Sequence, residues 1–334
     1  MLSTVVTTRR RGDTADRIHR EGGKGKAGQP AVKIALALLL LAALAIAALV
    51  VAVVQPVLRK GPLWRGPAAD PERLSALVHG LVALGPRDSA SGQSRAADWI
   101  RAQLGDARVT EQHYAAYGGK YRNLMVRLGP GGARRVVIGA HYDARGPYPG
   151  ADDNASGTAA LLEVERLLRG AVLGVQVELA WYSNEEYGLL GSAEHAREVR
   201  GVQAMISLEM LGCFDQPQRF PFDALRLLYP GRGDYIVVVG RPQDMALVRS
   251  VKRALRTNGA EVRSIDAPES IPGIGDSDHS SFWRAGVRAA MVTDTAWYRN
   301  PRYHTARDTP DTLDYRRMAR IAEGMAAWAS AFSP

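Results

Sequence analysis

The sequence predicts an α/β fold, a mostly parallel mixed sheet with helices on both faces, preceded by one transmembrane helix. Three observations carry this. Short stretches rich in Val, Ile and Leu alternate with helical periods from residue 135 onwards, as strands buried on both faces do. Several of these stretches end in residues of one chemical kind, carboxylates and histidines, as at the carboxyl edge of an open sheet. Ahead of them, residues 34–54 form an apolar run with no charge or strong polar group.

That run has 21 residues. As a helix it spans about 31 Å, close to the ~30 Å hydrocarbon thickness of a bilayer. A cleavable signal peptide has a shorter apolar core of ~7–15 residues and a small-residue cleavage site. Eight Lys and Arg precede the run and three follow closely, which places the N-terminus in the cytoplasm and the rest outside. The expected organisation is a basic, disordered tail over residues 1–33, a transmembrane helix over 34–54, a Pro/Gly linker over 55–69 and one domain over 70–334.

The domain opens with Asp70, Pro71 and Glu72, a helix start with cap, first-turn proline and acid. Helices are expected to residue 84 and over 93–104. Alternating stretches over 108–117 and 121–128 flank "GGK" and read as a hairpin. Then come "RRVVIGAHYD", a helix over 156–168, "VQVELAWYS", a helix after Glu186, "AMISLEML", "YIVVVG", a helix over 245–255, "AAMVTDT" and a last amphipathic helix over 315–331.

The formal charge of +9 is concentrated at the front. Residues 1–60 hold ten basic and three acidic side chains, leaving 33 basic and 31 acidic beyond them. The domain is nearly neutral, without the basic stripe that nucleic-acid binding needs, so no nucleic-acid partner is expected. Cys213 is the only cysteine. The domain therefore has no internal disulfide, at a size of ~270 residues that can do without one.

The strand ends hold the chemistry. "GAHYD" supplies His141 and Asp143, "GADDNASG" Asp152 and Asp153, "SNEEYG" Glu185 and Glu186, "ISLEML" Glu209, and "RYHTARDTPD" His304. Each alone has an ordinary explanation: a structural histidine, a helix cap, acids in a first helical turn. Their coincidence at successive strand ends points instead to metal, because imidazole and carboxylate are zinc ligands and this many acids can hold two cations.

"HYD", "GADDNASG", "NEEYGLLGS", "SLEM" and "YHTARDTPDTL", in that order, resemble the co-catalytic zinc aminopeptidases, the twenty-eighth metallopeptidase family, over roughly residues 70–332. The resemblance implies a zinc exopeptidase fold, two zinc ions and peptide substrates. It implies His141 as terminal ligand of one metal with Asp143 orienting it, Asp153 as bridge, Glu209 completing the first site, and Glu186 with His304 holding the second. Glu185 is then the unligated general base, and a bend must turn the adjacent glutamates apart. Asp278 and His279 in "SDHSSFW" are expected either to contact the oxyanion or substrate amine or to cap a helix. Family members commonly carry Asp where this chain has Glu209. The leading expectation is a membrane-anchored aminopeptidase with its domain outside the cytoplasm. Two others stand beside it: a single-zinc glutaminyl cyclase of the same fold, and a non-catalytic binding ectodomain.

Overall fold

A computed structural model describes residues 28–132 and 134–333, with side chains from residue 32. The tail expected over residues 1–33 lies almost wholly outside the described residues. The chain divides into two compact units, Met1–Ala48 and Leu49–Pro334. The first contributes most of an apolar helix, α1 (Gly28–Val54). Within it Val32–Val54 is long and apolar enough to cross a membrane.

In the second unit two helices, α2 (Pro71–Val82) and α3 (Ala90–Leu104), precede an antiparallel hairpin, β1 (Val109–Ala116) and β2 (Gly119–Leu128). Alternation follows: β3 (Arg135–His141), α4 (Gly157–Leu168), β4 (Gln176–Tyr182), α5 (Leu190–Glu198) and β5 (Val202–Glu209). A two-stranded ribbon, β6 (Gln216–Pro217) and β7 (Arg232–Gly233), interrupts the series. It resumes with β8 (Ile236–Gly240), α6 (Met245–Thr257), β9 (Val262–Asp266), α7 (His279–Arg284), β10 (Ala289–Thr293) and α8 (Tyr315–Ser330).

The main sheet has eight strands in the order β1-β2-β4-β3-β5-β10-β8-β9. The central strands β4, β3, β5 and β10 are mutually parallel, so their carboxyl ends share one edge. Side-chain alternation explains why these strands are apolar throughout. Val136, Ile138 and Ala140 of β3 face a large core with α2, α3, α4, α6 and α8, whereas Val137 faces a smaller one with α5 and α7. In β5, Ala204, Ile206 and Leu208 face the first and Met205 the second. Each fully buried aliphatic side chain of this kind contributes about 1.5–3 kcal/mol.

Caps agree with the sequence where the chemistry is local. Asp70 Oδ1 accepts the N–H of Glu72 at the start of α2, and Asp314 accepts that of Arg317 at the start of α8. Strand β9 and the six-residue α7 lie in regions where the sequence shows no period.

Residues 55–69 form an ordered strap along α6. Gly61 N–H donates to Thr257 Oγ1 and Trp64 N–H to Asn258 Oδ1, while Asn258 Nδ2 donates back to Pro62 O. Gly61 is required by closeness: a Cβ there would lie 2.5 Å from the Arg253 carbonyl carbon. The end of α1 is held too. Lys252, buried on α6, donates its ammonium to Val54 O, Gln55 O and Ser264 Oγ at 2.7–3.1 Å. Burial lowers its pKa to about 8.

Candidate metal centre

The shared carboxyl edge gathers every residue proposed from the sequence as a ligand. His141, the last residue of β3, turns Nε2 towards Asp153 Oδ1 at 3.4 Å and Glu209 Oε2 at 3.3 Å. His304 turns Nε2 towards Asp153 Oδ2 at 2.9 Å and Glu186 Oε2 at 3.0 Å. The two oxygens of Asp153 thus face two different imidazoles. Glu185 Oε2 stands farther off, 3.9 Å from His141 Nε2.

This donor set fits divalent cations. His304 Nε2 has two carboxylate oxygens at about 3 Å, yet it makes no hydrogen bond of acceptable geometry, and Glu186 Oε1 is buried without a partner. A buried nitrogen and oxygen left without partners in this way suit ligation of a metal by imidazole and carboxylate. Among the described residues, His141, Glu185 and Glu209 form one group with donor atoms close enough to hold a metal, Asp153, Glu186 and His304 a second, and Asp152, Cys213 and Asp294 a third.

Without a metal the electrostatics are costly. Burial, with the Glu209, Asp278 and Glu186 charges, pushes Glu185 well above the usual carboxylate range. Burial and Asp153 push Glu186 up to about 7. Burial works against charged His304, but its pairing with Asp153 and Glu186 holds it at about 9. His141 is likewise raised, against burial, chiefly by Glu209 and Glu185. Asp153 is buried but its two histidines lower it far below its ordinary value. These are protons that cations would displace.

Local structure explains how each side chain is aimed. The glutamates do not continue β4. Asn184 takes φ 54°, a conformation Asn tolerates, and the chain turns through Glu185 before α5 begins at Leu190. This supplies the expected bend. Asp143 accepts the N–H groups of both Glu185 and Glu186 and approaches His141 Nδ1 at 3.3 Å. Residues 151–156 form an irregular coil ahead of α4. Asp152 lies in it, accepting the N–H of Gly212 and Nδ2 of Asn300. At the next turn, a Cβ on Gly157 would meet Leu208 O at 2.5 Å, so glycine lets α4 start against β5.

Glu209 reaches the cluster despite its extra methylene. It also accepts from Ser277 Oγ at 2.8 Å. Asp278 is fully buried with neither oxygen hydrogen-bonded, and burial raises it to about 7. His279 is buried against Trp283, with Nε2 2.8 Å from Ile274 O. Burial lowers its pKa to about 4. Neither residue lines the cavity beside the cluster. Cys213 is buried, as a small apolar side chain would be.

Two residues with structural roles here lie outside the set expected from the sequence. Asp308 accepts the N–H groups of Asp152 and Asp153, fixing the backbone of the shared carboxylate. Arg87, fully buried, donates to the carbonyls of Tyr142, Pro149 and Gly150. It pins the loop before Asp153 and places a cation beneath the acids. Arg87 has only a "GPRDS" context, and its partners lie 55–63 residues away. Asp308 does carry a local signal, four residues after His304 in "RYHTARDTPD".

Comparison with known proteins places the chain in a family. The profile of Peptidase family M28 matches residues 123–329. The uncharacterised protein YfbL of Escherichia coli is 42% identical over 280 residues, covering 77% of this chain and 87% of its own. Leucine aminopeptidase 1 of Sclerotinia sclerotiorum is 33% identical over 211 residues, covering 57% and 51%; this chain thus spans about half of that relative. Among solved structures, BSAP, a zinc aminopeptidase from Bacillus subtilis, superposes with a TM-score of 0.66 at 14% identity, covering 79% of this chain and 95% of its own. A glutaminyl cyclase from Bacteroides thetaiotaomicron gives 0.63 at 19%, covering 80% and 100%. These two likenesses show the fold, a mixed α/β sheet shared by both activities. The family match spans well over half of the chain, which therefore belongs to Peptidase family M28.

Proposed function

We propose that this chain is a membrane-anchored, zinc-dependent aminopeptidase that removes N-terminal residues from peptides. The observation that carries the reading is the division of Asp153 between two imidazole–glutamate pairs, His141 with Glu209 and His304 with Glu186. On this reading the two pairs hold one ion each, and Glu185, farther from His141 than Glu209 is (3.9 against 3.3 Å), stays unligated and serves proton transfer. A leucine aminopeptidase among the relatives supports the same class.

Zinc held there would polarise the scissile carbonyl and acidify the attacking water. The chain's own residues do the rest. Glu185 takes the water proton and passes it to the leaving amine, which a carboxylate in a buried site can do near neutral pH. Asp143 keeps the Glu185 turn in place and faces the His141 nitrogen turned away from the cluster. The apolar cavity beside Glu185 and Glu186 receives the substrate side chain. The α1 span serves as the anchor, with the N-terminus cytoplasmic and the domain outside, following the basic residues before the span.

The test is direct. The detergent-solubilised full chain should bind about two zinc ions, release amino acids from unblocked peptides, and lose activity to a chelator. Cyclisation of N-terminal glutamine without peptide cleavage, on one zinc, would overturn the reading in favour of a glutaminyl cyclase. Absence of zinc binding would favour a non-catalytic ectodomain.

A further inference from the structure

The cavity beside the cluster has a volume of about 490 Å³, and its wall is predominantly apolar, including Phe222, Leu225, Ile271, Met291 and Trp297. Two more of its lining residues, Leu49 and Val53, come from the last two turns of α1 and belong to the same compact unit as the rest. Leu49 lines this cavity while remaining 64% exposed.

The segment that brings Phe222 and Leu225 here is the excursion between β6 and β7. It contains a short turn, Asp223–Leu227, that buries none of its residues. Phe222 is 54% exposed and Leu227 88%. Arg219 and Arg226 lie exposed on the same segment, and beyond α1 the fully projecting Leu58 is followed by exposed Arg59 and Lys60. Large apolar side chains interleaved with arginine and lysine are what a chain presents to the headgroup region of a bilayer.

Depth decides the occupant. Leu49 precedes the end of α1 at Val54 by five residues, roughly 7.5 Å along a helix axis. Elements lying in the interface bury their apolar side by about 5–10 Å. Phe222, which lines the same cavity as Leu49 and is half exposed, comes within reach of that depth if the apolar run ends at the outer edge of the hydrocarbon. We propose that residues 220–230 rest in the outer interface of the bilayer beside the exit of α1, so that the cavity leading to the metal centre opens onto lipid. Its substrates are then peptides whose apolar N-terminal end partitions into the membrane surface. This rests on the reading of α1 as a membrane span.

The experiment uses the full chain in phosphatidylcholine–phosphatidylglycerol vesicles, labelled with an environment-sensitive fluorophore at Leu227→Cys. Native Cys213 is buried and does not compete. Labels at Val172→Cys, an exposed apolar residue (94%) between α4 and β4, and at Leu41→Cys inside α1 serve as references. Lipids with a nitroxide near the headgroup should remove about half the emission at residue 227 and little at residue 172, as an interfacial position requires. Deep nitroxides should quench residue 41. Quenching at 41 with none at 227 overturns the proposal and leaves the anchor standing. No quenching at 41 overturns the anchor and the proposal together. A blue-shifted label at 227 that lipid nitroxides do not quench means a protein covers this surface, and also overturns it. In a second arm, Leu227→Asp, outside the cavity lining, should slow cleavage of a vesicle-bound lipidated peptide several-fold and leave a short soluble peptide unaffected. Equal effects on both substrates contradict access from lipid.

Discussion

One oxygen of Asp143 accepts the backbone N–H of Glu185 at 3.1 Å, and its other oxygen accepts that of the adjacent Glu186 at 3.2 Å. The same carboxylate lies 3.3 Å from His141 Nδ1. A single buried side chain therefore couples the turn carrying the proposed base to a histidine proposed as ligand, and the coupling runs mainly through the backbone. Any residue at position 143 that cannot accept two N–H groups must let that turn move.

Replacing Asp143 by Ala leaves two buried donors unmatched, at about 1–3 kcal/mol each. Zinc affinity or turnover should fall about 10–100-fold, as for other partners that orient ligands. KM for the peptide should change little, because Asp143 is held away from the cavity. Asp143→Asn, which keeps one accepting oxygen, should fall between. Titration with zinc and steady-state kinetics on the three proteins check this. Wild-type values in the alanine variant would mean that the glutamates are positioned some other way.

Metal loading should release protons in a pH-dependent manner. In the metal-free chain His304 titrates at about 9 and Glu186 at about 7. At pH 7 the imidazolium is therefore charged and the carboxyl half protonated, and both must lose protons to act as ligands. Zinc affinity should rise with pH through the window from about 6 to 9 and level off above it. Calorimetry at pH 7 in buffers of different ionisation enthalpy should show more than one proton released per chain. No dependence on buffer would contradict the ligand set.

The orientation of the anchor is open to a simple assay, motivated by the eight basic residues before the apolar run and the three after it. Protease added to spheroplasts should digest the domain that follows residue 60 and spare an epitope placed at the N-terminus. A C-terminus protected until the membrane is opened would reverse the topology.

Much of the centre was readable because its signals are local. His141 and Asp143 are two residues apart at a strand end, and Asp153 sits in a quoted loop motif. What was not readable depends on partners far along the chain. Arg87 acts through carbonyls of residues 142, 149 and 150, and Ser277 reaches Glu209 across 68 positions. The stretch over 55–69 has linker composition, yet it is ordered by Thr257 and Asn258, which no local rule connects with it. The turn between β4 and α5 is not legible in detail, because the sequence does not show that Asn184 and Leu189 both adopt positive φ. Short β9 and α7 carry too few residues to display a period.

Glu185 and Glu186 have the same side chain and adjacent positions, so exchanging each for Gln separates their roles cleanly. Glu186 Oε2 lies 3.0 Å from His304 Nε2, whereas Glu185 Oε2 stands 3.9 Å from His141 Nε2, behind Glu209 at 3.3 Å, and lines the cavity. Glu185→Gln keeps the volume and removes the proton acceptor. Its zinc content and melting temperature should stay near wild type while turnover falls about 10²–10⁴-fold, the usual contribution of general acid–base catalysis. Glu186→Gln removes a charged ligand, so zinc affinity should drop, and melting temperature with it, because metal bound to the folded state stabilises it. Excess zinc should restore part of the activity of Glu186→Gln and none of Glu185→Gln. Zinc per chain and rate, measured in both variants with and without added metal, decide the matter. Equal zinc loss in the two, or rescue of Glu185→Gln by zinc, would show that both glutamates are ligands and that the base lies elsewhere.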